Sequence, residues 1–237
     1  MPDFSSRSSQ AEIMDDLNCT GRVLERTLEE LEIINKWLGG NRITINALEH
    51  MLAFHSKEEV ITIVDLGCGS GDMLRIIDRW GKKKNFKLKL TGIDANPNII
   101  AFAKRNLRDY PHIQLRTLNI FSDEFQSHRY DIVIGTLFYH HFSNEQLVKF
   151  LRHLNRQVAI GFIINDIHRH WLAYYSIKLL TQALSRSNMV KYDAPLSVLR
   201  AFKEHELRKI LEASGTKNVT IRWKWAFRWQ VIAIRGD

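Results

Sequence analysis

From residue 60 to residue 166 the chain alternates short apolar runs with amphipathic stretches, and this alternation constrains its fold more than any other feature. The apolar runs are "VITIVDLG" (60–67), "KLKLTGIDA" (87–95), "IQLRTLNI" (113–120), "YDIVIGTLF" (130–138) and "QVAIGFIIND" (157–166). Helical stretches fall at about 71–80, 97–109 and 144–155. Strands that are apolar on both faces, each followed by a helix, form a parallel sheet covered on both sides. Right-handed crossovers then make that sheet doubly wound. Two later runs, "NVTIRWKWAF" and "RWQVIAIRG", alternate polar and apolar residues and suit an antiparallel pair at the sheet edge. The expected fold is α/β, with a doubly wound, mostly parallel seven-stranded sheet.

Two segments stand outside that pattern. Residues 9–38 read as helices, with Leu24, Leu28, Leu31, Ile34 and Leu38 recurring at three- and four-residue steps. Gly39 and Gly40 stop them, and another helix follows at roughly 42–55. The second exception is 167–200, where "HRHWLAYYSIKLLTQALSRSN" reads as a helix and "MVKYDAPLS" as a connector. The expected organisation is an N-terminal helical appendage (1–56) and one catalytic domain (57–237), with a helical lid inserted at about 167–200.

The richest local motif is "VDLGCGSGDML" (64–74), which leaves the first strand and opens a helix. Gly67, Gly69 and Gly71 permit a tight turn and let a ligand approach the backbone. Dinucleotide sites favour G-x-G-x-x-G after apolar residues. Here the spacing is G-x-G-x-G, and Asp65 at the strand tip would repel a pyrophosphate but suit an ammonium group. Asp94, ending the second strand, lies where a carboxylate meets ribose hydroxyls. "LNIFSD" ends the third run, where Asn119 can address an adenine edge and Ile120 or Phe121 its face.

With "VDLGCGSG", "GIDANPNII", "LNIF" and "YDIVIGTLFYHHFS" in this order, the chain resembles the class I S-adenosylmethionine-dependent methyltransferases over about 58–166, the closing helix and the hairpin. The lid resembles, more weakly, that of bacterial enzymes of polyketide, phenolic-lipid or quinone pathways. The resemblance implies S-adenosylmethionine as cofactor. It implies that Asp65, Gly67, Cys68, Gly69 and Gly71 hold the methionine end, that Asp94 binds the ribose, and that Ala95, Asn96, Asn119 and Ile120 lie against the adenine. Thr136 would line the methyl-donor side. Family members more often carry aspartate at the Asn119 position; an amide still serves as donor or acceptor.

Methyl transfer is an in-line displacement, so the protein's main task is alignment and exclusion of water. A hydroxyl acceptor adds the need for a base, and histidine titrates in a suitable range. His140, in "LFYHHFS", and His168, in "NDIHRHWLAYY", are the leading base candidates, with Asp166 and Arg169 orienting imidazole and acceptor. The competing reading of the second stretch is a helix cap. Tyr139, His141, Trp171, Tyr174 and Tyr175 are candidate acceptor contacts and suit a flat aromatic or phenolic molecule. No metal is expected, because catechol-type enzymes carry acidic ligands after the fourth strand and "GTLFYHH" has none.

The net charge of +8 is the one feature favouring an RNA or protein substrate. Much of it sits in "RWGKKKNFKLKL" (79–90), between a helix and a strand and far from a ligand edge, and no RNA-binding module is present. The expected partner is therefore a small-molecule acceptor rather than nucleic acid. A non-catalytic cofactor binder is a further alternative. No membrane-spanning run and no secretory pattern occur, and Cys19 and Cys68 have neither metal nor redox spacing, so a cytoplasmic enzyme is expected. The N-terminal helices would cover the acceptor mouth or form a homodimer contact.

Overall fold

The computed structural model describes residues 2–236. Its seven strands are β1 (Val60–Leu66), β2 (Lys87–Asp94), β3 (Gln114–Thr117), β4 (Tyr130–Thr136), β5 (Val158–Ile167), β6 (Val219–Lys224) and β7 (Arg228–Ile234). They form one sheet in the order β3-β2-β1-β4-β5-β7-β6. Strands β1 to β5 run parallel, while β7 is antiparallel to both β5 and β6. The sheet is thus mixed, with the antiparallel pair where the alternating sequence put it. The order reverses between β1 and β4, and in open α/β sheets the crevice at such a point, beyond the strands' carboxyl ends, binds ligands.

The nine helices among the described residues are α1 (Gly21–Trp37), α2 (Gly40–Met51), α3 (Asp72–Lys84), α4 (Pro97–Asn106), α5 (Asp123–Ser127), α6 (Asn144–Gln157), α7 (Trp171–Leu184), α8 (Asn188–Arg200) and α9 (Glu204–Ala213). One core lies under each face of the sheet, the first built on Val64, Val133, Phe150, Phe162 and Val231, the second on Leu48, Ile63, Leu74, Ile77 and Ile163. Ser143 caps α6 as the S-x-x-Q pattern predicts, its hydroxyl accepting from Gln146 N while the Gln146 side chain accepts from Ser143 N.

Three differences from the sequence expectations matter. First, only one helical turn (Ile13–Asp15) forms before α1. The rest of 2–20 is a strap tied to distant parts of the chain: Asp193 accepts from Ile13 N and Met14 N, and Ser8 N donates to Leu199 O. Arg7 donates to the carbonyls of His140, Phe142 and Arg200 and lies over the Phe202 ring. These partners are far away in sequence, so helical periodicity carried no sign of them. Second, β3 ends at Thr117, which leaves Leu118–Phe121 free to line the crevice. Third, "MVKYDAPLS" is helical despite Pro195 within α8. An interior proline costs about 3 kcal/mol. The burial of Met189, Val190, Leu196 and Val198, with a Ser187 cap, opposes that cost.

Candidate active site

At the carboxyl ends of β1, β2 and β4 lies a cavity of about 500 Å³, within the size range of small-molecule sites. Its floor is the loop after β1. Gly67, Gly69 and Gly71 all adopt positive φ, at 62°, 51° and 77°. A Cβ on Gly67 would lie 2.3 Å from the Phe138 ring and one on Gly71 2.6 Å from Leu107, so these two glycines are also forced by packing. At Gly69 the nearest atom to a Cβ is 3.7 Å away. There the conformation itself requires glycine, and the backbone is open to the cavity.

Around this floor stand Asp65, Cys68, Ser70, Asp72, Asp94, Ala95, Asn96, Asn119, Ile120 and Thr136. Of the residues expected to hold the cofactor, all but Gly71 line the cavity; Gly71 caps α3 instead. The carboxylates are the informative part. Asp65 is fully buried, no hydrogen bond to its side chain exists among the described residues, and burial followed by repulsion from Asp72 and Asp94 pushes its pKa well up. Asp72 is pushed up to about 6 by burial and by Glu32, and its Oδ2 is buried without a partner. Asp94 is likewise raised by burial, although Asn96 N donates to it at 3.0 Å. Buried carboxylates that form no ion pair among the described residues create a site for a cation. Such a site fits the ammonium and sulfonium groups of S-adenosylmethionine.

The remaining wall comes from the N-terminal region, α6 and the turns after β3 and β4. The strap supplies Met14, Asp15 and Leu17; α1 supplies Leu28, Leu31, Glu32 and Asn35; Phe121, Leu137, Phe138, Phe142 and Gln146 complete it. Leu137 sits at φ 56°, an uncommon conformation for a branched residue and one that marks functional turns.

Two carboxylate–imidazole pairs meet at the turn after β4. His141 lines the cavity, and its Nδ1 lies 2.6 Å from Asp15 Oδ1. Arg200 holds the other Asp15 oxygen and donates to His141 O at 2.7 Å. His140 is buried behind it, Nδ1 2.7 Å from Asp166 Oδ1, with its backbone N donating to Asp166 Oδ2. Burial alone would lower the His140 pKa, but the charge and hydrogen bond of Asp166, with Glu12, raise it to about 9. Burial would raise Asp166, and the charge and hydrogen bond of His140 outweigh that and lower it. Asp166 was expected to support a histidine in its own stretch; the partner is instead His140, brought over from β4.

The other residues expected at the acceptor side lie elsewhere. Tyr139 is buried beneath Gly135, with no partner for its hydroxyl. Arg169 is fully buried, and its guanidinium is taken by the carbonyls of Phe4, Ser5 and Ala201 and by Glu206 at 2.6 Å; it ties the strap to α9. Trp171, Tyr174 and Tyr175 are on α7, outside the cavity, and Trp171 and Tyr175 are exposed. The cap of α7 is His170, its Nδ1 accepting from Leu172 N, rather than Asn165 or Asp166, which the cap reading favoured and which instead lie buried in β5. His168 accepts from Trp223 Nε1 at 3.2 Å, beyond the reach of the cavity.

His168 is pushed down to about 4 by burial, His170 and Arg169. In the unfolded chain it takes up a proton near pH 6.5. Between about 6.5 and 4 the unfolded chain therefore binds more protons, and stability falls as pH drops through that window. Urea midpoints measured across it are expected to decline less steeply in His168→Asn than in the parent.

The basic cluster lies at the far side. Lys82, Lys83 and Lys84 end α3, whose opposite end carries the glycine loop, and Lys82 and Lys84 pair with Asp78 and Glu49. No helix among the described residues is long and apolar enough to cross a membrane.

Residues 63–161, fewer than half of the chain, match a family model described as a methyltransferase domain. No curated protein sequence matches. Among solved structures, the plantazolicin methyltransferase BpumL, bound to S-adenosylhomocysteine and a triazolic analogue, superposes with a TM-score of 0.67 at 15% identity, covering 90% of this chain and 91% of that one. The CMeT domain of the citrinin polyketide synthase gives 0.62 at 17% identity over 82% of this chain, which spans about half (52%) of that one. Magnesium protoporphyrin IX methyltransferase from Synechocystis PCC 6803 gives 0.54 at 17% identity, covering 83% and 84%. At these identities the likeness is one of fold.

Proposed function

We propose that this chain, whose domain and fold are those of the S-adenosylmethionine-dependent methyltransferases, moves a methyl group to an oxygen of a small organic acceptor, aromatic or phenolic in character. The observation that carries the reading is a single cavity holding both parts of the chemistry: buried carboxylates without ion-pair partners for a cationic cofactor, and an imidazole–carboxylate pair on the adjoining wall. S-adenosylmethionine supplies an electrophilic methyl on a sulfonium when bound. Asp65 and Asp72 would face its ammonium, Asp94 its ribose, and Asn119, Ile120 and Phe121 its adenine. Met14, Leu17, Phe138 and Phe142 offer an apolar wall that excludes water around the acceptor. His141, held by Asp15, would take the acceptor proton at its free nitrogen as the C–O bond forms. His140, kept protonated by two carboxylates, is the poorer base. The names of the neighbours favour a small molecule over RNA or protein as acceptor, as does the far-side position of the lysines.

Asp94→Ala removes the acceptor of two hydroxyl hydrogen bonds to a charged group, each of about 1.5–3 kcal/mol. Calorimetry is expected to give at least about a tenfold weaker affinity for S-adenosylmethionine; equal affinity would remove Asp94 from the ribose site. A cationic ligand also favours ionised carboxylates, so affinity for S-adenosylmethionine is expected to rise with pH through the Asp72 value of about 6. A flat profile would mean that these carboxylates do not meet the cation.

The reading as a whole is tested by incubating the protein with methyl-labelled S-adenosylmethionine and a panel of phenols and hydroxylated aromatics, beside RNA and protein acceptors. Label entering a phenolic oxygen supports it. Label entering only RNA or protein would replace it with the macromolecular reading, and cofactor binding with no transfer to any acceptor would favour a binding protein.

A further inference from the structure

We propose that Glu12, His140 and His141 form a binding site for a divalent transition-metal ion, zinc being the best match, at the wall where the strap meets the turn after β4. One ligand atom from each of the three lies within 4.8 Å of the others. Two histidines and one carboxylate are a donor set such ions take readily. His140 is already arranged as a metal ligand is, with Asp166 holding its Nδ1 and its Nε2 left to coordinate, and the His141 ring is fixed by Asp15 at Nδ1. The strongest sign is what these atoms lack. Nε2 of His140 and Oε1 of Glu12 are both buried and without a hydrogen-bond partner, and they face each other at 3.6 Å. Native interiors rarely leave two such groups at this distance without a hydrogen bond, and an entering ion would displace the proton that Asp166 and Glu12 hold on His140. Arg200 stands 3.7 Å from the same oxygen, too far to donate, and is engaged by Asp15. Bonds of about 2.0–2.1 Å to a tetrahedral ion put ligand atoms about 3.4 Å apart, so the cluster needs to contract by about 1.4 Å at most.

The ion would have three protein ligands and an open position, the pattern of zinc sites that bind substrate rather than only cross-link the chain. His141 lines the cavity, so the open position is available to an acceptor oxygen. In this sense the inference deepens the proposed function, and it rests on the acceptor lying at this wall; the existence of the site does not. The ion would also close the strap over the cavity.

The test needs neither cofactor nor acceptor. Chelator-treated, dialysed protein is titrated with Co²⁺, followed by its visible absorption, and with Zn²⁺ by calorimetry and thermal shift. The expected result is one ion per chain and a rise in Tm. Glu12→Gln and His141→Asn, both near-isosteric, are expected to weaken binding by about tenfold or more. Asp166→Asn, which touches only the orienting partner of His140, is expected to weaken it about ten- to a hundredfold. Circular dichroism and a cooperative thermal transition, measured alongside, report whether each variant is folded. Absence of saturable Co²⁺ and Zn²⁺ binding would overturn the proposal, as would binding that the folded variants leave unchanged. Loss of methyl transfer with metal binding intact would count against the proposed function alone.

Discussion

Replacing His141 with alanine is expected to lower turnover by about 100-fold or more while leaving affinity for S-adenosylhomocysteine within about twofold, because a positioned general base contributes about 10²–10⁴ in rate. His141 belongs to the short turn after β4, and its side chain is fixed by Asp15 from the strap. The loss should therefore appear in kcat rather than in cofactor binding. Asp15→Asn keeps the volume but weakens that hold, and it should move turnover in the same direction by less. His168→Ala, beyond the reach of the cavity, should retain most turnover. If His168→Ala abolished methyl transfer and His141→Ala did not, the acceptor would lie near the end of β5. Turnover falls in His141→Ala whether the imidazole acts alone or through a bound ion; the cobalt titration separates the two.

Arg200→Ala is expected to be the most damaging change to stability. Arg200 is buried at the end of α8, where it pairs with Asp15, stands beside Glu12, and donates to the His141 carbonyl. Truncation leaves two carboxylates with less cationic compensation and uncovers a carbonyl. Removing one partner of a buried ion pair costs about 3–5 kcal/mol. For a chain of this size each kcal/mol shifts Tm by about 2–4 °C, so a drop of about 6–20 °C is expected by calorimetry. The same variant should expose the strap to limited proteolysis before the rest of the chain opens, since Asp15 and Glu12 lose part of their anchor. A Tm within about 2 °C of the parent would mean that the network contributes little, which some buried ion pairs do.

The parallel strands and the glycine loop were legible in the sequence because their causes are local. Continuous apolar runs, helix caps and positive-φ glycines each leave a mark within a few residues. Gly69 is one such mark, and Asp65 two residues before the first glycine is another. The acceptor side was hardly legible. Asp166 was expected beside a histidine of its own stretch, whereas its partner His140 comes from the end of β4, so the pairing depended on strand order and on the turn's backbone. Glu12, Asp15 and Arg200 gave no signal, because polar residues near a chain end resemble a solvated segment until their partners are known. Arg169 and the aromatics of α7 misled for the opposite reason. Their types suit an acceptor site, but the side chain of Arg169 turns inward to bind carbonyls of the strap, and α7 buries only Ala173 and Thr181. Of the two adjacent histidines, each with a carboxylate behind it, only His141 lines the cavity, and His140 is buried behind it.

The central claim is that the crevice beyond β1, β2 and β4 is a binding site for S-adenosylmethionine, whose positive charge its buried, ion-pair-free carboxylates meet. Calorimetric titration of the intact protein with S-adenosylhomocysteine and, separately, with S-adenosylmethionine tests it most directly. The expected result is one molecule per chain for each, with binding lost or sharply weakened when Asp65 is replaced by asparagine. No heat of binding from either compound at millimolar concentration, or unchanged affinity in Asp65→Asn, would contradict it.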